Sequence, residues 1–176
     1  MAGHSKWVQI KRKKAVTDAK RGKLFSKLVR FISMEAKRAK GDLNSPVLRA
    51  AIEKARKANM PIDNINRAVK KASESGGEVM ESITYEAYGP GGAGIIIEAL
   101  TASRNKAAQE IKHILSKNGA ALGAIGSVVW AFKKENNDWH PTTTVPLSDE
   151  DAEKLDALVN ELEDNDEVQD VYTNAE

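Results

Sequence analysis

The chain of 176 residues contains no cysteine. That excludes structural disulfides, thiolate catalysis, Cys-ligated zinc and iron–sulfur clusters, and it fits a reducing compartment, so a cytoplasmic setting is expected. Long apolar runs are missing too. The longest, residues 94–100, is broken by Glu98 and falls far short of the ~18 residues of a membrane span. The first residues lack the apolar core of a secretory signal. They also lack acids: residues 1–14 carry five Lys or Arg, plus His4, and no Asp or Glu. Mitochondrial transit peptides share that bias, but the run of distinctive residues directly after Met1 reads as a mature terminus.

What is present is divided by charge. Net charge is only +2, yet residues 1–80 hold 20 Lys and Arg against 7 Asp and Glu, and residues 81–176 hold 7 against 18. The halves therefore stand at +13 and −11. Such asymmetry points to a polyanionic partner for the basic half, with nucleic acid ahead of an anionic membrane. With 41 % apolar residues the chain can build one large core or two small ones.

The basic half reads as an extended arm, 1–17, and a three-helix bundle, 18–77. In residues 18–40, Phe25, Leu28, Ile32, Ala36 and Ala39 recur on one helical face, widened by Leu24 and Phe31, and Gly41 ends it. Ser45 and Pro46 open a second helix with Leu48, Ile52 and Ala55 inward, blocked by Pro61. Ile62, Ile65, Val69 and Ala72 mark a third. Ser75-Gly76-Gly77-Glu78 is a linker by composition.

The acidic half, 78–176, changes period. Ile83, Tyr85 and Ala87 alternate as a strand, and 95–100 is a second. Ser103 caps a helix that Asn118-Gly119 ends, with Ala107, Ile111, Ile114 and Leu115 inward. Strands are expected at 128–132 and 142–145. A helix opened by Ser148 follows, with Ala152, Leu155, Leu158 and Leu162 inward, then a strand at 168–172. The order β-β-α-β-β-α-β predicts an α+β fold: a ferredoxin-like βαββαβ domain with an extra N-terminal strand.

Catalytic signatures are weak. Gly89-Pro90-Gly91-Gly92-Ala93-Gly94 matches the dinucleotide pattern G-x-G-x-x-G, but a strand follows it where the pyrophosphate needs a helix N-terminus. A wide hairpin loop is the better reading, with glycines able to press backbone against a partner. His4, His113 and His140 have no second ligand at metal spacing. The acids of 149–170 imply a solvated face, and no nucleophile–base pair stands out. No enzyme, cofactor or metal is expected.

The cations form a pattern. Lys11, Arg12, Lys13 and Lys14 lie in the arm, followed by Lys20, Arg21, Lys23, Lys27 and Arg30. Lys20, Lys23, Lys27 and Arg30 are spaced 3, 4 and 3, one helical stripe offset from the apolar face. Such a stripe binds phosphates through counterion release. His4 and Trp7 are suited to stack on unpaired bases. Lys-rich surfaces position phosphates more than they read base edges, which favours irregular RNA over a duplex groove.

These residues also carry a family likeness. In order, "MAGHSKW", "DAKRGKLFSKL", "YEAYGPGGAGIIIEAL", "SRNKAAQEIKHILSKNG", "GSVVWAF" and "EDNDEVQDVYTN" resemble the YebC family of transcriptional regulators, which is related to the mitochondrial translational activator of cytochrome oxidase subunit one. The resemblance implies a helical N-terminal domain followed by α+β domains. It implies DNA binding in some members and action on the ribosome in others. Carried over by position, it marks Gly3, His4, Ser5, Lys6, Trp7, Lys11, Lys14, Asp18, Lys20, Arg21, Gly22 and Lys23 as facing nucleic acid. Gly89, Pro90, Gly91, Gly92, Arg104 and Asn105 match further motifs and are candidate partner contacts. Family members usually carry a third domain after "GSVVWAF"; here only "KKENNDWHP" follows, so a short form lacking that domain is expected.

The sequence therefore predicts a monomeric, non-enzymatic regulator of gene expression that binds ribosomal RNA or tRNA, on the ribosome, through its arm and first helix. A DNA-binding transcriptional regulator is the alternative. A protein–protein adaptor working through the acidic half ranks third.

Overall fold

The computed structural model describes residues 18–74 and 79–176. The arm at 1–17 and the linker at 75–78 lie outside the described residues. The chain forms two compact units, Val16–Met80 and Glu81–Glu176.

The first unit is helical: α1 is Asp18–Arg38, α2 Pro46–Lys57 and α3 Ile62–Glu74. Leu28, Ile32 and Ala36 of α1 bury against Leu48, Ala51 and Ala55 of α2 and against Ile65 and Ala68 of α3, with Met60 closing the cluster. Two expected core residues stay exposed, Leu24 and Ile62. Ile62 opens its helix, and Leu24 lies in the second turn of its own. The helix ends follow one design. After α1 the Gly41 N–H donates to Ala36 O at 2.9 Å and Lys40 N–H to Lys37 O. After α2 the Met60 N–H donates to Ala55 O and Asn59 N–H to Arg56 O. These are Schellman ends, with Lys40 (φ 51°) and Asn59 (φ 63°) in the left-handed position. Ser45 occupies the N-cap of α2, but its side chain makes no capping hydrogen bond.

The second unit is α+β: β1 Glu81–Tyr88, β2 Gly94–Thr101, α4 Arg104–Lys117, β3 Ala121–Leu122, β4 Phe132–Glu135, β5 Asp138–Pro141, α5 Asp149–Asp164 and β6 Val168–Thr173. The main sheet runs β3-β1-β2-β6, every neighbour antiparallel. The α+β class holds, but the strand order is corrected. The first strand, expected as an addition to a βαββαβ core, is one of the two inner strands. No strand forms at 128–132. Val129–Ala131 is a 3₁₀ turn, and β4 begins only at Phe132. Nor is 142–145 a strand: β5 precedes it, and Val145 makes a single bridge to Ala175. Two causes are visible. A carboxylate takes the N–H groups of Val128 and Val129 away from any ladder. Asn136 and Asn137, both at positive φ, make the two-residue turn that pairs β4 with β5. The stretch "KKENNDWHP" is thus a hairpin.

Burial follows the pleat. Ile95, Ile97 and Ala99 of β2 face Ile111 and Leu115 of α4 and Leu155, Leu158 and Leu162 of α5. Ile96, pointing the other way, packs with Val128, Ala131, Phe132, Trp139 and Tyr172. Helices cover one sheet face and the β4–β5 hairpin covers the other. That is why β2 is buried along nearly its whole length.

Candidate nucleic-acid interface

On α1, Asp18 starts the helix and Lys37 and Arg38 end it, each charge opposing the local end of the helix dipole. Lys20 and Arg21 are exposed and Lys23 and Arg30 are half-buried; Arg21 Nη1 lies 4.0 Å from Asp18 Oδ1. Lys27 departs from the expected stripe. Its residue is only 7 % exposed, so it does not continue an open row of cations. The other named arm residues, His4, Ser5, Lys6, Trp7, Lys11, Arg12, Lys13 and Lys14, lie outside the described residues.

The larger cationic feature is a groove between α1 and α3. Its volume is about 920 Å³, and it is lined by Val29, Arg30, Ser33, Met34, Lys37, Arg38, Asn64, Arg67, Ala68, Lys71, Ala72, Val79 and Met80. The α1 lining recurs at 30, 33/34 and 37/38 and the α3 lining at 64, 67/68 and 71/72, so two facing ridges make the walls. Of the described lining residues five are cationic and none is acidic. Behind this wall lies Glu35, 4 % exposed, whose Oε1 accepts from Arg38 Nη1 at 3.3 Å. Burial pushes the Glu35 carboxyl above its ordinary pKa, and Arg38 opposes that. Of these cations the sequence named only Arg30. Lys37, Arg38, Arg67 and Lys71 were missed, although Arg67 and Lys71 are one turn apart. Spacing shows which side of a helix they share but not which helix they confront.

In the second unit the six candidate contact residues do not form one site. Gly89, Pro90, Gly91 and Gly92 lie beyond the Tyr88↔Gly94 end of the β1–β2 hairpin, and Arg104 and Asn105 beyond the Glu81↔Thr101 end. Strands of this length separate those ends by about 20 Å. Gly91 (φ 68°) is spent on internal packing, since a Cβ there would come within 2.5 Å of Leu147 Cδ2. Arg104 Nε bonds Glu81 Oε1 at 2.8 Å.

The polar groups of this unit are used as internal pins. Glu86, 7 % exposed, accepts from the N–H groups of Gly126 (2.7 Å), Val128 (2.9 Å) and Val129 (2.8 Å). Burial pushes this carboxyl up, but the three backbone donors together outweigh it, and its pKa lies below the ordinary value. Glu98 accepts from Thr84 Oγ1 and from Trp139 Nε1 at 2.7 Å, while Tyr172 donates to Asp138 Oδ1. His113 and His140 are exposed. Among the described residues no three His, Asp or Glu side chains gather as a metal site, and no helix is long and apolar enough to cross a membrane.

Comparison with known proteins fits this division. Residues 5–75 match the TACO1/YebC protein N-terminal domain. Residues 80–137 and 133–175 match the TACO1/YebC second and third domain. A probable transcriptional regulatory protein of Chlorobaculum tepidum is 49 % identical over 169 residues, covering 95 % of this chain and 67 % of the relative. One from Chloroherpeton thalassium is 39 % identical over 239 aligned positions, covering 100 % of this chain and 96 % of the relative. The present 176 residues are short against that span. The crystal structure of a conserved hypothetical protein from Aquifex aeolicus superposes with a TM-score of 0.79 at 34 % identity, covering 98 % of this chain and 97 % of that one.

Proposed function

The chain belongs to the TACO1/YebC family, and from that premise we propose that it is a non-enzymatic, nucleic-acid-binding regulator of gene expression acting on the ribosome in the cytoplasm. Its ligand in this reading is ribosomal RNA or tRNA, held by the arm and α1. The observation that carries the reading is the concentration of cations on α1 and along the α1–α3 groove, set against an acidic second unit. Lysines dominate the start of α1, and a Lys is a point charge that holds phosphate without reading sequence. Relatives are named probable transcriptional regulatory proteins, which favours DNA as a second reading.

Crosslinking the tagged chain in cells and sequencing what it carries tests the two. Reads concentrated in ribosomal RNA or tRNA are expected. Enrichment of a few promoter sequences, with RNA at background, replaces the first reading by the second.

A further inference from the structure

We propose that the groove between α1 and α3 seats an unpaired base of single-stranded RNA, with the flanking phosphates held by its rim. This deepens the nucleic-acid reading and rests on it. The rim carries Arg30, Lys37, Arg38, Arg67 and Lys71, while Met34, Ala68, Ala72 and Met80 supply apolar lining. That combination selects among polyanions. A duplex shows phosphates but keeps its bases stacked inside, so it would leave the apolar lining unused. A single strand offers both parts at once, a π-face for the lining and a phosphate on either side. Three of the five cations are arginines, whose planar guanidinium can pair a phosphate bidentately or stack on a base. Ser33 and Asn64, also in the lining, supply hydrogen-bonding groups of the kind that meet base edges.

The groove also lies near the basic start of α1. Lys20 and Arg30 belong to one stripe of α1 and lie about 15 Å apart at ~1.5 Å per residue. With Lys27 buried between them, the start of the helix and the groove are two separate cationic patches within reach of one strand. The volume of about 920 Å³ is near the top of the range of roughly 300–1,000 Å³ for small-ligand sites, so a base enters with its sugar. An acidic peptide would satisfy the cations alone and is the competing occupant.

The test is fluorescence anisotropy on the full chain with three labelled probes: a short single-stranded RNA of mixed sequence, the same RNA annealed to its complement, and an oligo-glutamate peptide. Arg67→Ala with Lys71→Ala removes exposed charges from one wall. Ala72→Trp fills the lining and leaves every charge in place. Lys20→Glu with Lys23→Glu is the reference outside the groove. Ala72→Trp is expected to weaken single-strand binding about tenfold, the loss of roughly one stacked base, with duplex binding nearly unchanged, whereas the charge variant weakens both. The charge variant also flattens the salt dependence, by about 0.7 per cation removed; Ala72→Trp does not. Should Ala72→Trp fail to give a cooperative melt, Ala72→Leu takes its place as the filled variant. If the groove variants bind the single strand like the parent while the Lys20/Lys23 variant does not, the seat is refuted and nucleic-acid binding stands. Equal loss on single strand and duplex in the filled variant also refutes the seat. Peptide binding that is lost on filling the groove, with RNA binding unaltered, makes it a protein-docking site. If the parent binds neither RNA probe, the nucleic-acid reading falls as well.

Discussion

The two units use their charged side chains in opposite ways. In the helical unit, cations ring an open groove, and the core beneath is made of Leu, Ile, Ala and Met. In the α+β unit, carboxylates turn inward and hold chain segments. Glu86 gathers three N–H groups, Glu98 ties the hairpin to the sheet, and Glu161 binds Lys117 and Asn118 at the end of α4. In one unit the charges line a groove, and in the other they hold the fold together. Mutations should therefore separate cleanly, affecting stability in the second unit and binding in the first.

The hardest blow to that division falls on Glu86. Replacing it by Ala leaves three N–H groups without their acceptor. It should lower unfolding free energy by about 3 kcal/mol in a denaturant titration, with RNA affinity unchanged. The pH profile sharpens the point. The folded carboxyl holds its proton less tightly than the unfolded one, so its contribution is complete above the ordinary value of 4.5 and fades as pH falls below it. Glu86→Gln should lose that acid-side dependence. A variant as stable as the parent at neutral pH would break the comparison.

Next in size is Lys20→Glu with Lys23→Glu. About a tenfold loss of RNA affinity is expected, along with a shallower salt slope. The thermal midpoint should move little, because neither the exposed Lys20 nor the half-buried Lys23 belongs to the core cluster. A large drop in melting temperature with binding retained would reverse the assignment of roles.

The smallest effect compares caps. Ser148 Oγ accepts from the Asp151 N–H at 3.1 Å, whereas Ser45 makes no such bond. Ser148→Ala should cost about 1 kcal/mol. Ser45→Ala should leave the denaturation midpoint where it is. Equal losses would mean that the two N-caps are doing the same work.

Much of the architecture was legible because it is local. Periodicity located the five helices of the described residues, and Ser103, Ser148 and Asn118 mark helix ends in the sequence as in the fold. The alternating Ile83, Tyr85 and Ala87 gave β1, and the glycine-rich stretch proved to be the hairpin loop between β1 and β2. The failures have long-range causes. Val128 and Val129 look like strand residues, but Glu86, some forty positions earlier, takes their N–H groups. The Asn136-Asn137 turn carries no glycine, the strongest sequence mark of a two-residue hairpin turn. Lys27 fits a helical stripe by spacing, yet neighbours bury it. The groove required knowing that α1 confronts α3, which no count of charges along the chain reveals.

The β4–β5 hairpin has one more consequence. The two stretches that match the second and third domain meet within residues 133–137, at the tip of this hairpin. Glu135 and Asp138 are paired across the turn, so the chain enters and leaves it about 5 Å apart. The stem is anchored independently of its tip, through Trp139 to Glu98 and through Phe132 to Ile96. The tip is thus a splice point. A module with adjacent termini can be grafted or removed there without re-registering a strand, which makes it the place of choice for a fluorescent reporter that must not disturb the main sheet.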